Sequence, residues 1–93
     1  MNWRRERKLK TVAAKVVDFY YEYDPYGFMD STEVGETVDE TKARMVENYY
    51  TELVDGNYQL ILDEVYDPDL EDPQLRVKML DIIESIKKLK QKK

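Results

Sequence analysis

The chain has 93 residues, enough for one small domain over residues 1–93 and too few for a catalytic domain with a regulatory one beside it. It contains no cysteine and no histidine, which excludes a disulfide framework, a thiolate zinc site, the usual general base near neutral pH and the commonest transition-metal ligand. Its 15 basic and 20 acidic residues give a net −5 but are unevenly placed: residues 1–17 hold six bases and one acid, residues 18–75 two bases and 17 acids, and residues 76–93 seven bases and two acids.

Apolar residues at Leu9, Val12, Ala13, Val16, Val17, Tyr20 and Tyr23 recur at helical spacing and predict a first helix over roughly residues 3–23. Asp24-Pro25-Tyr26-Gly27 stops it, because the residue before a proline avoids helical angles and Pro-x-Gly suits a turn. Residues 24–36 lack a clean period and are expected to form an ordered loop pinned by Tyr26, Phe28 and Met29. Thr37-Val38-Asp39-Glu40 has capping-box spacing, so a second helix should run to about Asp55. Its buried residues are expected to be Ala43, Met45, Val46, Tyr49, Tyr50, Leu53 and Val54, with Gly56 as its left-handed stop. A short third helix fits Tyr58, Ile61, Leu62 and Val65 and ends before Pro68. Asp72-Pro73 opens the last, with aspartate as N-cap and proline at the first helical position, and Leu75, Met79, Ile82, Ile83, Ile86 and Leu89 mark its buried stripe.

Four helices with an ordered loop after the first predict an all-α fold, a small bundle. Three glycines and three prolines are too few for a sandwich or barrel of many tight turns. The basic N-terminus is not followed by the apolar run of a secretory signal, and no stretch approaches the ~18–20 apolar residues that cross a bilayer. The expected compartment is the cytoplasm, with no membrane partner.

Enzymatic constellations fail by inventory. Ser31 and Ser85 are the only serines and have no histidine to activate them, and three scattered glycines make no phosphate-cradling loop. The carboxylate pairs Asp63-Glu64 and Asp67/Asp69 are not distinguished from the other acids. Asp67, Asp69 and Glu71 match the first ligand positions of a calcium-binding loop, but Asp72 stands where glycine is required and Lys78 where the closing glutamate belongs. An acidic cap before the last helix accounts for these residues. No catalytic residue, cofactor or metal is therefore expected.

The charge layout of the last helix, acids before it and lysines at its end, complements its dipole. The first helix does the reverse, with Arg4, Arg5, Arg7 and Lys8 at its positive end and Asp18, Glu22 and Asp24 at its negative end. Two explanations stay open: the basic ends neutralise the acidic middle internally, or the two signs meet different external partners. Acids as dense as those of residues 18–75 can present carboxylates to a protein groove built for phosphates. Tyr21, Tyr26 and Tyr66 lie beside acids and suit a binding surface, whereas Tyr20, Tyr23, Tyr49, Tyr50 and Tyr58 sit at core spacing.

Tyr23-Asp24-Pro25-Tyr26-Gly27-Phe28-Met29-Asp30, followed by a charged helix and a short one ending near Glu64, resembles a small accessory domain of large polyvalent proteins from phages and conjugative elements. The similarity covers roughly residues 20–66. It implies no chemistry, only a context: mobile elements carry small acidic proteins that antagonise host nucleases, including CRISPR effectors.

The expectation is a non-enzymatic protein whose acidic middle binds a partner protein with a basic surface, such as the nucleic-acid groove of a defence nuclease. The candidate contacts are Asp24, Tyr26, Asp30, Asp67, Asp69, Glu71 and Asp72. Second to this stands an adaptor or regulator that contacts nucleic acid through its basic termini. Third stands self-association through Leu75, Met79, Ile82, Ile86 and Leu89, which have coiled-coil spacing.

Overall fold

The computed structural model describes residues 3–91, which form helices α1 (Trp3–Tyr23), α2 (Pro25–Asp30), α3 (Val38–Val54), α4 (Tyr58–Val65) and α5 (Pro73–Gln91), with no strand among the described residues. The all-α class is as the periodicity predicts. Four of the helices have the predicted limits, and the fifth, α2, occupies the start of the expected loop.

The α2 helix is built by the same device that starts α5. Asp24 Oδ1 accepts the Gly27 amide at 3.0 Å and Pro25 stands at the first helical position, where its missing N–H costs nothing. Asp24-Pro25 thus ends α1 and begins α2 in one step. Of the three expected anchors only Phe28 is buried, and fully so, whereas Tyr26 is 85% exposed and Met29 51% exposed, contrary to the expectation that all three would pin the segment.

α3 opens on a complete capping box, with Thr37 Oγ1 accepting the Glu40 amide at 3.1 Å and Glu40 Oε1 accepting the Thr37 amide at 2.9 Å. It closes on Gly56 at φ 80°, where the Asn57 amide reaches the Glu52 carbonyl at 2.9 Å and the Gly56 amide the Leu53 carbonyl at 3.1 Å. α5 starts on Asp72, whose Oδ1 accepts the amides of Gln74 and Leu75.

α1 is the central element and packs along both α3 and α5, while α4 closes the bundle between those two. The ion pairs Lys10–Glu47 and Lys42–Asp18 set α3 antiparallel to α1, and Lys15–Asp81 and Lys78–Glu22 set α5 antiparallel to it. A helix covered on two sides needs a wide apolar arc, and α1 accordingly buries Phe19 together with Leu9, Val12, Ala13, Val16 and Val17. The α5 stripe of Met79, Ile82, Ile86 and Leu89 is buried in the same core as Leu53, Ile61 and Val65, so the residues with coiled-coil spacing are already occupied within the fold. A smaller cluster of Val17, Phe28 and Met45 joins α2 to α1 and α3.

Two residues expected in the α3 core, Ala43 and Val54, are exposed. The buried arc is rotated toward Thr41, the one fully buried polar residue among those described. Its Oγ1 lies 2.8 Å from Glu36 Oε1 and 3.0 Å from the Thr37 carbonyl, so burial leaves the hydroxyl satisfied.

Candidate functional site

The two acidic segments singled out in the sequence meet at one end of α1. Tyr23, the last residue of that helix, stacks on Phe19 with ring centroids 5.4 Å apart, and its hydroxyl donates to Asp67 Oδ2 at 2.5 Å. Asp67 Oδ1 accepts the Asp69 amide at 2.9 Å, the Asp67 amide points to Met79 Sδ at 3.3 Å, and Arg76 Nη1 donates to the Leu70 carbonyl at 3.2 Å. With Leu70 buried, the stretch between α4 and α5 is held from α1 and α5 together. The Tyr23 hydrogen bond, then the Asp69 amide, lower the Asp67 pKa; the same bond raises that of Tyr23.

Next to this clamp, a recess of about 460 Å³ is lined by Tyr20, Tyr23, Asp24, Tyr49 and Glu64, and the Tyr49 hydroxyl donates to Glu64 Oε1 at 2.9 Å. Burial, followed by the neighbouring Glu64 carboxylate, raises the Tyr49 pKa. On another side, Glu22, Pro25 and Asp72 border a shallower groove of about 370 Å³. Asp24 and Asp67 are therefore gathered around Tyr23, and Asp72 lies across from Pro25. Three of the seven candidates hold the fold: Asp24 and Asp72 cap helices, and Asp67 receives Tyr23. Tyr26, Asp30, Asp69 and Glu71 are exposed and present their side chains outward. Among the described residues no group of three or more carboxylates is arranged to hold a metal ion.

Three members of this end were not singled out by sequence reasoning. Tyr23 has core spacing, yet it is 42% exposed and acts as the clasp. Glu22 and Glu64 looked like any other acids, and only the antiparallel packing brings them here.

The loop between α2 and α3 is fixed by Arg44. Its guanidinium donates from Nε and Nη2 to both Glu36 oxygens at 3.0 Å, and Nη2 also donates to the Ser31 carbonyl at 2.6 Å. The Arg44 hydrogen bonds, then the Glu33 amide, bring the Glu36 pKa down to about 2. This arrangement supports the acidic end from behind by fixing where α2 terminates.

The basic segments converge as well. Because α5 runs antiparallel to α1, its C-terminal half lies beside the start of α1. Arg4, Arg7, Lys8 and Lys15 from α1, with Lys88 from α5, line one groove of about 800 Å³. The internal explanation of the charge layout holds for the middle of α1. Pairs such as Lys10–Glu47, Lys15–Asp81 and Lys42–Asp18 neutralise the middle of α1 internally, while in its first turns Arg4, Arg7 and Lys8 are exposed and Arg5 donates to the Tyr58 hydroxyl at 3.1 Å. The two clasped acidic segments and the cationic groove thus lie toward opposite ends of α1. No family model, no curated protein and no solved structure matches the chain.

Proposed function

We propose that this is a non-enzymatic binding protein whose acidic end docks on a basic surface of a partner protein, presenting carboxylates where that surface normally receives phosphates. The observation that carries the reading is the Tyr23–Asp67 clasp: it joins two separate acidic segments at a single end and holds them in fixed relation. Preorganised carboxylates form short, charge-assisted bonds to arginine and lysine without first paying to order a loop. The exposed Tyr26 beside them adds the aromatic anchor typical of interface hot spots. A nuclease is the partner class with such a phosphate-binding surface, and the resemblance of residues 20–66 to a domain of mobile-element proteins supports a nuclease of host defence, such as a CRISPR effector.

Charge reversal at Asp30, Asp69 and Glu71 tests this reading, because these side chains are exposed and carry no cap or clasp. The triple variant should keep the far-UV circular dichroism of the parent and lose capture of a basic partner protein from the native host. Capture that survives the triple reversal unchanged refutes the proposal.

A further inference from the structure

The groove between α1 and α5 is not used by the acidic-end reading and has its own chemistry. Arg4 and Lys8 are one turn apart on α1 and Lys15 two turns further, so the cations form a line along about 16 Å of helix. Lys88 faces them from α5, and no carboxylate is among the lining residues. Lys15 is paired with Asp81 at 3.0 Å and Lys88 with Glu84 at 3.4 Å, both at solvent-exposed positions where an ion pair is readily exchanged. No ion pair ties Arg4 or Arg7 to a carboxylate among the described residues. Val12 and Leu89 give the groove an apolar floor, and the Thr11 and Ser85 side chains add hydroxyls.

Trp3, 55% exposed and the only tryptophan in the chain, is not a lining residue but neighbours one, Arg7, a turn away on α1. The Arg7 guanidinium lies 5.2 Å from the centre of its ring. A cationic groove that tracks a backbone, with an exposed aromatic and an arginine plane available for stacking, is the chemistry by which single-stranded nucleic acids are held without regard to sequence.

We infer that the α1/α5 groove binds single-stranded nucleic acid, its cations on the phosphodiester backbone and Trp3 stacked on a base. A recess between two helices admits one strand, whereas a duplex is read by an element that projects into its groove. The acids of α3 and of the acidic end also repel a duplex more strongly, given its charge every ~1.7 Å of axis. This inference does not depend on the acidic-end proposal, and either can fail alone.

Trp3 is a built-in reporter. The full chain is titrated with oligothymidylate and oligouridylate of about a dozen nucleotides, following tryptophan fluorescence. The expected result is saturable quenching by one or both strands, and their ratio tells whether the sugar is read. Engagement of three to five phosphates gives a slope of log affinity against log salt of about −2 to −3.5, or a roughly 20- to 100-fold loss between about 50 and 200 mM salt. The double variant Arg4→Glu/Lys88→Glu should bind at least tenfold more weakly, while the triple reversal at Asp30, Asp69 and Glu71 should not weaken binding. Four results overturn the inference: no response to either strand at low salt, tighter binding of a duplex of the same length, equal quenching by polyglutamate, or the same saturating change with inorganic phosphate alone. The wild-type salt slope and the polyglutamate comparison decide the matter even if the double variant folds poorly.

Discussion

Replacing Phe28 by alanine removes the only side chain that ties α2 into the core. Its ring is fully buried, 4.8 Å from that of Tyr21 and 6.1 Å from that of Tyr20, both at steep angles, and it packs with Val17 and Met45. Truncating a buried phenylalanine costs about 3–5 kcal/mol, of which each edge-to-face pair accounts for roughly 0.5–1.5. Against a total stability of about 5–15 kcal/mol for a domain of this kind, that is a large share. At roughly 4–8 °C per kcal/mol for a chain of this size, the melting temperature should fall by about 12 °C or more. The loss has a local part too: six residues cannot sustain a helix without tertiary support, so α2 should melt and release Tyr26 and Asp30 from their positions. Urea unfolding followed by far-UV circular dichroism gives the global cost, and amide exchange within residues 25–30 gives the local one. Tyr26→Ala and Met29→Ala, at exposed positions of the same helix, should stay within about 0.5 kcal/mol of the parent. A cost below about 1 kcal/mol for Phe28→Ala, or an equal cost for the two exposed controls, refutes the assignment of Phe28 as the anchor.

Gly56→Ala should cost about 1–2 kcal/mol in the same urea assay, because φ 80° is strained for any side chain although the space around it is open; an unchanged midpoint would contradict this. Glu36→Gln tests the Arg44 anchor through pH. The folded pKa of about 2 lies below the ordinary 4.5, so the carboxylate's contribution is complete above pH 4.5 and is lost as pH falls through 2. The stability difference between parent and variant should therefore shrink across that window, and a pH-independent difference would argue against the ion pair. At the other extreme, the raised phenol pKa values of Tyr49 and Tyr23 contribute stability that is complete below the unfolded value of 10.0 and is lost as pH rises beyond it. Tyr49→Phe should flatten part of the alkaline unfolding curve, and a variant curve of the same slope would dissociate Tyr49 from it. Thr37→Ala should cost about 0.5–2 kcal/mol through the capping box, read by thermal melting; no change would mean that Glu40 alone holds the start of α3.

Local rules carried four of the helices. Thr37 and Glu40, Gly56, and Asp72 with Pro73 act within a few residues of themselves, so their signatures are complete in the sequence and their geometry follows. Asp24-Pro25 has the same form as Asp72-Pro73, yet it directly follows a helix and precedes only six helical residues, too few to display a period. It therefore looked like a stop. Thr41 escaped notice for a different reason. Its burial depends on Glu36, which the chain presents from a preceding loop, and a polar residue on an apolar arc gives no local sign of such a partner.

The candidate site was legible in part. The density of acids was visible, as was their division into two segments, but not that Tyr23 joins them, since a tyrosine at core spacing is ordinarily core. Nor could the local pattern show that Asp24 and Asp67, like the foreseen N-cap Asp72, use their carboxylates within the fold. That leaves Tyr26, Asp30, Asp69 and Glu71 as the outward-facing set. The two basic runs stood out at the chain's ends, but their meeting in one groove follows from the antiparallel packing of α1 and α5, a property of topology.

The separation of the clasped acidic segments from the cationic groove makes a sharp statement about where partners of opposite sign should touch. Amide chemical-shift mapping of the labelled chain with an arginine-rich peptide tests it directly. The account predicts perturbations confined to residues 22–30 and 64–72, with the amides of Arg4–Lys8 and of the last two turns of α5 unmoved. Shifts spread evenly over the exposed acids of α3, Asp39, Glu40 and Glu47 among them, would show that the peptide follows charge alone and that the clasped acidic end is not a site.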